Sequence, residues 1–249
     1  MPPPAPRVEP TPRWVRVRAG DVWVADSRRA LLLAWYGPGM LPTYCFPADD
    51  VRTELLSPAS RDVPNMAIAH DLVVGDQLLA EAAELFVDPP PPLSAVEGHW
   101  SFTWDQGVSW FEEALEVHVH ARDPSKRVDV VPSERHVKVE IAGQLVAESR
   151  RPHALFETPL PTRWYLPPDD VRWEFLEPSD TVTMCPYKGT AKYWSVRAGG
   201  QLHRDLVWSY PEPIPENPRI AGLICFFNEK VDLFVDGELE DRPDTPWSS

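Results

Sequence analysis

Valines at positions 15, 17, 22 and 24 alternate with more polar neighbours, and Val137, Val139 and Ile141 repeat the pattern further along the chain. A period of two sends successive side chains to opposite faces of a strand, so these stretches read as half-buried β-strands. "LEVHVHA" (115–121) and "KVDLFVDG" (230–237) carry the same alternation toward the end of each half. The pattern predicts one short helix per half, "ADDVRTELL" (48–56) and "PDDVRWEFL" (168–176), with Asp50 or Asp170 capping its first amides and Pro58 or Pro178 ending it. Thirty prolines, including those of "DPPPPL" and "YPEPIPENP", interrupt any longer helix.

The halves are copies of one another. "VRVRAGDVWVADSRR" (15–29) aligns without gaps on "VKVEIAGQLVAESRR" (137–151), and "YCFPADDVRTELLSP" (44–58) on "WYLPPDDVRWEFLEP" (164–178). Fifteen of those 30 positions are identical; unrelated segments would share about two. A period near 120 residues makes each copy a domain rather than a solenoid unit. The expected organisation is a disordered Pro-rich tail over 1–13, a degenerate first repeat over 14–131, a second repeat over 132–241 and a closing tail over 242–249.

Length and composition allow a substantial core without disulfides: 249 residues, 43% hydrophobic, with 11 tryptophans. The net charge of −14 repels nucleic-acid phosphates and anionic membrane surfaces, so neither is an expected partner, although a local basic pocket can still take a small anion. Three cysteines with no C-x-x-C pair suggest neither a disulfide framework nor a thiolate zinc site, and they fit a reducing, cytoplasmic setting. The N-terminal stretch has no apolar core, and the run Ala30 to Tyr36 is too short to span a bilayer. His118 and His120 share a strand face, but no third ligand accompanies them in the sequence, and no metal or cofactor is expected.

Candidate chemistry concentrates in the second copy, in "TVTMCPYKGTAKYWSV" (181–196). A thiol at Cys185 followed by the ammonium of Lys188 would make an electropositive nook, with Gly189 permitting close approach of ligand or backbone. Arg150, Glu157, Tyr165, Tyr187, Tyr193, Trp208 and Tyr210 add a few charges and an aromatic wall, the mixture a small-molecule pocket needs. Each has a structural alternative. Cys185 can be a buried small hydrophobe, Lys188 a solvated turn residue, and Trp208 and Tyr210 core aromatics. Because both copies keep "SRR", at least one of its arginines is expected to pair with the aspartate of "DDV". Cys45 carries no motif and reads as core. Where the second copy has "TMCPYKGTAKYWSV" (183–196), the first has "RDVPNMAIAHDLVV" (61–74), with no cysteine, lysine or tyrosine, which implies that the first copy has lost the site.

"SRRPHALFETPLPTRWYLPPDDVR", "CPYKGTAKYWSV" and "WSYPEPIPENPRIAGLICFFNEKVDLFVDGE" together resemble the bacterial family called domain of unknown function four-two-seven, also filed as nucleotidyltransferase-like. The resemblance is dense over 147–238 and reaches the first copy only in its first half. It implies a mainly β fold of two tandem β-tent-like domains, antiparallel sheets meeting at an angle, each with one short helix; the chain lacks the cysteine pairs that pin related tents with zinc. A metal-dependent nucleotidyltransferase needs a Gly-Ser turn and an Asp-x-Asp pair, and the sequence contains neither, nor a Walker loop, a G-x-S-x-G elbow or an H-E-x-x-H helix.

The reading that follows is a protein whose second repeat binds a small, anionic ligand. An enzyme using Cys185 as nucleophile or redox thiol with Lys188 as anion holder, and a noncatalytic scaffold or interaction module, are the alternatives. Substrate, reaction and oligomeric state are not readable from the chain.

Overall fold

Burial alternates strictly along Val15–Ala19 and again along Val137–Ile141, the valines inward and the charged residues outward, as the period of two requires. The computed structural model describes residues 4–36, 40–62, 66–104 and 106–248. It is mainly β, with antiparallel pairing throughout the named strands and only short 3-10 turns besides, and it divides into two compact units, 2–123 and 124–249.

The first unit comprises β1 (Arg7–Pro10), β2 (Val15–Ala19), β3 (Val22–Ser27), β4 (Leu31–Ala34), β5 (Thr43–Cys45), β6 (Leu56–Asp62), β7 (Ala67–Val74), β8 (Gln77–Phe86), β9 (Trp100–Phe102), β10 (Val108–Glu112) and β11 (Leu115–Val117). They form sheets in the orders β1-β4-β5, β6-β7-β8-β9 and β11-β10-β2-β3. Phe46 and Trp100 exchange backbone hydrogen bonds of 2.6 and 2.8 Å, which ties the end of β5 to β9 and makes the first two sheets one ribbon.

The second unit comprises β12 (Val128–Pro132), β13 (Val137–Ile141), β14 (Gln144–Ser149), β15 (His153–Glu157), β16 (Arg163–Leu166), β17 (Leu176–Cys185), β18 (Gly189–Ala198), β19 (Gln201–Ser209), β20 (Ile224–Phe226), β21 (Asp232–Val235) and β22 (Glu238–Leu239). Here the ribbon is a continuous seven-stranded sheet, β12-β15-β16-β20-β19-β18-β17, beside a four-stranded sheet, β14-β13-β21-β22. The strand order of the first unit maps onto it element by element. Even the irregularities recur: β3 and β14 carry an extra residue, Val24 and Val146, opposite the same step of β2 and β13, and Glu81 and Asp205, both with positive φ, mark one shared bulge in the second half. Duplication therefore spans the whole of both copies, beyond the first half to which the sequence resemblance reached.

Both faces of the central strands of the seven-stranded sheet are buried. One face contributes Ala154, Trp164, Leu166, Val196, Val207, Ile224 and Phe226 to a core shared with Val137, Val139, Ile141 and Val146 of the smaller sheet. The alternate residues Leu155, Tyr165, Ala191, Trp208, Tyr210 and Cys225 form a second cluster on the other face. Double burial explains why β16 reads as an unbroken run instead of an alternating one.

Several expectations change. β1 pairs with β4 over Arg7–Pro10, so the first dozen residues are not wholly a tail; proline is tolerated there because the strand lies at a sheet edge. β12 pairs with β15, so the second unit starts at 124 and not at 132. At the other end, Thr245 donates to Glu229 and Trp247 stacks near Arg163, which ties down part of 242–249. The expected helices are each two 3-10 turns, split by Val51 or Val171, whose extended backbone bridges to Ala25 or Ala147. Nine residues are too few to offset the cost of nucleating an α-helix. Asp50 and Asp170 cap nothing there: they accept from Ser27 and Arg29, and from Ser149 and Arg151, the pairing anticipated for "SRR" and "DDV".

Candidate functional site

Glu157 ends β15 on the second buried face, and two lysines meet its carboxylate. Lys188 donates to Oε2, and Lys126 Nζ lies 3.0 Å from Oε1. All three side chains are largely shielded, with 3% of Glu157, 12% of Lys188 and 14% of Lys126 accessible. Burial alone would raise the glutamate's pKa, but the charges of Lys188 and Lys126 hold it below the ordinary carboxylate value. For Lys188 burial acts downward, and the carboxylate of Glu157 carries its pKa above the usual lysine value. Each of Glu157 and Lys188 thus favours the charged form of the other.

The turn that delivers Lys188 is braced by the segment "PEPIPENPRIAG". Ile214 N–H donates to Lys188 O (3.1 Å), Asn217 Nδ2 donates to Tyr187 O (2.7 Å), and Gly189 bridges to Pro213. Gly189 has φ +107°, and a Cβ there would stand 3.2 to 3.3 Å from backbone atoms of Glu212, Pro213 and Ile214. Its openness admits this segment. Ile220 of the same segment packs into the aromatic cluster, and Arg219 donates to Val130 O (2.9 Å).

Beneath lie the aromatic groups. Trp208 Nε1–H donates to the hydroxyl of Tyr165 (3.0 Å), with the rings edge to face at 6.3 Å. Tyr193 and Thr183 share a hydrogen bond of 2.9 Å between their hydroxyls. Tyr210 is only 5% exposed, and its hydroxyl has no hydrogen-bond partner among the described residues. Burial drives the phenol pKa of both Tyr165 and Tyr210 upward, which keeps each protonated and therefore a hydrogen-bond donor. Cys185 is half-buried at the edge of the cluster, and its sulfur has no hydrogen-bond partner among the described residues.

Glu157, Tyr165, Cys185, Lys188, Tyr193, Trp208 and Tyr210 thus share one sheet face, and Tyr187 backs it, its ring 5.1 Å from Lys126 Nζ. Arg150 does not belong to this group. It is exposed at the end of β14, on the smaller sheet, and lines a shallow depression of about 410 Å³ with Glu148, Asp169, Asp170 and Arg172. The ammonium of Lys188 is largely shielded from solvent, and Glu157 accepts one of its hydrogen bonds.

Sequence reading missed four members. Lys126 carries no motif and sits in a segment assigned to the first repeat. Arg163 and Glu229 form a bidentate buried pair at 2.6 and 2.7 Å, with Arg163 5.6 Å below the ring of Trp208, and they are 66 residues apart in the chain. Cys225 lies inside the cluster, its pKa pushed up to about 12 by burial. His118 and His120 fall beyond the end of β11, and among the described residues no group of His, Cys, Asp and Glu is arranged to share a metal ion.

The chain is thus a tandem all-β protein whose second copy keeps polar chemistry on a buried sheet face. The family described as "Domain of unknown function (DUF427)" matches residues 7–113 and 129–237, one match per unit, and the chain belongs to that family. Among curated proteins, none matches the chain.

Proposed function

We propose that the second unit binds a small anion, or a small molecule bearing an anionic group, at the tyrosine-lined face of the seven-stranded sheet, without a covalent step. The observation that carries this reading is an excess of donors. The hydroxyl proton of Tyr210 has no acceptor among the described residues, Tyr165 accepts from Trp208 while its own proton has no such acceptor, and Lys188 gives one bond, to Glu157. The hydroxyl of Tyr210 is not among the fully shielded unpartnered atoms, so water can serve it in the free protein; covering it without a partner would cost about 1–3 kcal/mol, a cost that the oxygens of a bound anion avoid. An apolar ligand would incur all of it.

Cys185 fits binding better than catalysis. Among the described residues its sulfur has no hydrogen-bonded base to accept the thiol proton, and an activated nucleophile needs one within about 3 Å. Thermal shift with inorganic phosphate, small carboxylates and nucleotides tests the proposal, since a ligand that binds only the folded state raises Tm. At least one anion should raise Tm of the wild type, and Tyr210→Phe should fold with a similar Tm yet lose most of that response. A wild type indifferent to every anion, or a Tyr210→Phe variant responding as strongly, would refute the reading.

A further inference from the structure

The outer face of the smaller sheet in the first unit bears a different chemistry. Arg16 and Arg18 point away from the core on β2, flanked by Trp14, Trp23 and Phe111. The guanidinium of Arg16 lies 3.9 Å from the centre of Trp14 and 4.4 Å from that of Trp23; Arg18 lies 5.1 Å from Phe111, and Arg28 lies 4.8 Å from Trp14. Trp23 and Phe111 meet edge to face at 5.1 Å, so the rings form a fixed bed for the cations.

The neighbouring acids are already engaged. Asp26 accepts from Trp14 Nε1 (2.7 Å), Glu113 Oε1 accepts from Trp14 N (2.8 Å), and the carbonyl of Glu113 accepts from Arg16 (2.7 Å). Arg18 and Arg28 form no ion pair among the described residues, and the shielded Nε atoms of Arg16 and Arg18 have no partner. The second copy closes the same face with its own charges: Lys138 replaces Arg16 and Glu140 replaces Arg18, with Glu148 held by His136 and Lys138. The cationic patch therefore belongs to the first copy alone, on a chain whose net charge is −14.

We propose that this face docks an extended acidic peptide segment with carboxylates at alternate positions. Arg16 and Arg18 are two residues apart on one strand, about 6.8 Å, which is also the spacing of alternate side chains in an extended peptide. A guanidinium held flat on a ring presents its N–H edge in the fork that matches a carboxylate. Trp14 already carries two guanidinium groups, leaving a poor platform for stacked bases, and a long polyanion would meet the chain's overall negative field.

Fluorescence anisotropy with the full chain tests this, using a short fluorescein-labelled peptide with glutamate at alternate positions, its lysine counterpart, and a single-stranded deoxythymidine oligonucleotide. The glutamate peptide should bind at low ionic strength and weaken as salt is added, while the lysine peptide should not bind. Arg18→Gln should lose about tenfold in affinity, the size expected for a charge-assisted hydrogen bond. Arg28→Gln, at an exposed turn where folding is not at risk, should lose several-fold, and Lys138→Gln in the second copy should change nothing. Absence of glutamate-peptide binding, Arg18→Gln and Arg28→Gln variants both binding like the wild type, or tighter binding of the oligonucleotide than of the peptide would each overturn the proposal.

Discussion

Replacing Glu157 by glutamine removes one charge and almost no volume from the best-shielded triad in the second unit. The carboxylate accepts from Lys188 and lies 3.0 Å from Lys126, and little of any of the three side chains is accessible. With glutamine the two ammonium groups face one another across a neutral amide, in surroundings that screen them poorly. Breaking one partner out of a buried ion pair costs about 3–5 kcal/mol, because the remaining charge stays buried without compensation. That is a large part of the roughly 5–15 kcal/mol that holds a domain folded. For a unit the size of 124–249, each kcal/mol moves Tm by about 3–4 °C, so the loss is about 10–20 °C.

Calorimetry as a function of pH makes the test specific. The folded pKa of Glu157 lies below its ordinary 4.5, so the stability it contributes is complete above pH 4.5 and is lost as pH falls through the lowered folded value. For Lys188 the folded pKa lies above 10.5; its contribution is complete below pH 10.5 and is lost as pH rises through the raised value. Wild type and Glu157→Gln should therefore differ most at neutral pH and converge at both extremes. A neutral-pH difference below about 1 kcal/mol, the range of solvated surface pairs, would refute the claim that the triad is shielded.

Two further outcomes follow from the same face. Gly189→Ala should destabilise the second unit by about 1–3 kcal/mol in urea unfolding, since φ +107° and three backbone contacts at 3.2 to 3.3 Å leave the new methyl no soft neighbour; an unchanged midpoint would show that the 211–214 segment is not seated as described. With Ellman's reagent the native protein should expose one reactive thiol, abolished by Cys185→Ser, because Cys45 and Cys225 are fully buried and burial pushes the pKa of both upward; a second thiol reacting at the same rate in the native state would contradict the burial of the other two.

What the sequence revealed divides along the range of the interactions involved. Alternating valines announced β2 and β13 because strand periodicity is local, and the identical "SRR" and "DDV" segments announced both the duplication and their own ion pairs. The helices failed because the decisive contact, Val171 to Ala147, is made by a residue inside the supposed helix with a strand far away in the chain. The matching of 61–74 to 183–196 failed for a related reason. Leu56 pairs with Leu72 while Leu176 pairs with Val196, so the β17–β18 hairpin is four residues longer than its counterpart, and the "CPYKG" turn occupies the longer one. Residues 63–65, which that alignment set opposite Cys185, Pro186 and Tyr187, lie outside the described residues. Lys188 looked like a free cation because its partner lies 31 residues back, at the end of another strand.

The two copies show what duplication leaves unconstrained. Pairing register places Cys45 where the second copy has Tyr165, and Phe86 where it has Tyr210, with Gly98 and Gly222 donating to the matching carbonyls of Phe86 and Tyr210. Each exchange keeps an apolar body in the cluster and deletes a hydroxyl, so the first copy's face needs no buried hydrogen bonds and closes as plain core with Leu33, Leu93 and Val96. The smaller sheet varies in the opposite sense: its exposed face holds ring-bedded arginines in the first copy and self-satisfied ion pairs in the second. One backbone thus tolerates donors on either sheet but retains unpaired ones on a different sheet in each copy. Burying an unpaired donor costs stability, and random drift removes such groups as easily as the first copy lost two hydroxyls. The protons of Tyr165 and Tyr210, which have no acceptor among the described residues, are therefore the difference between the copies on which the proposed anion would depend.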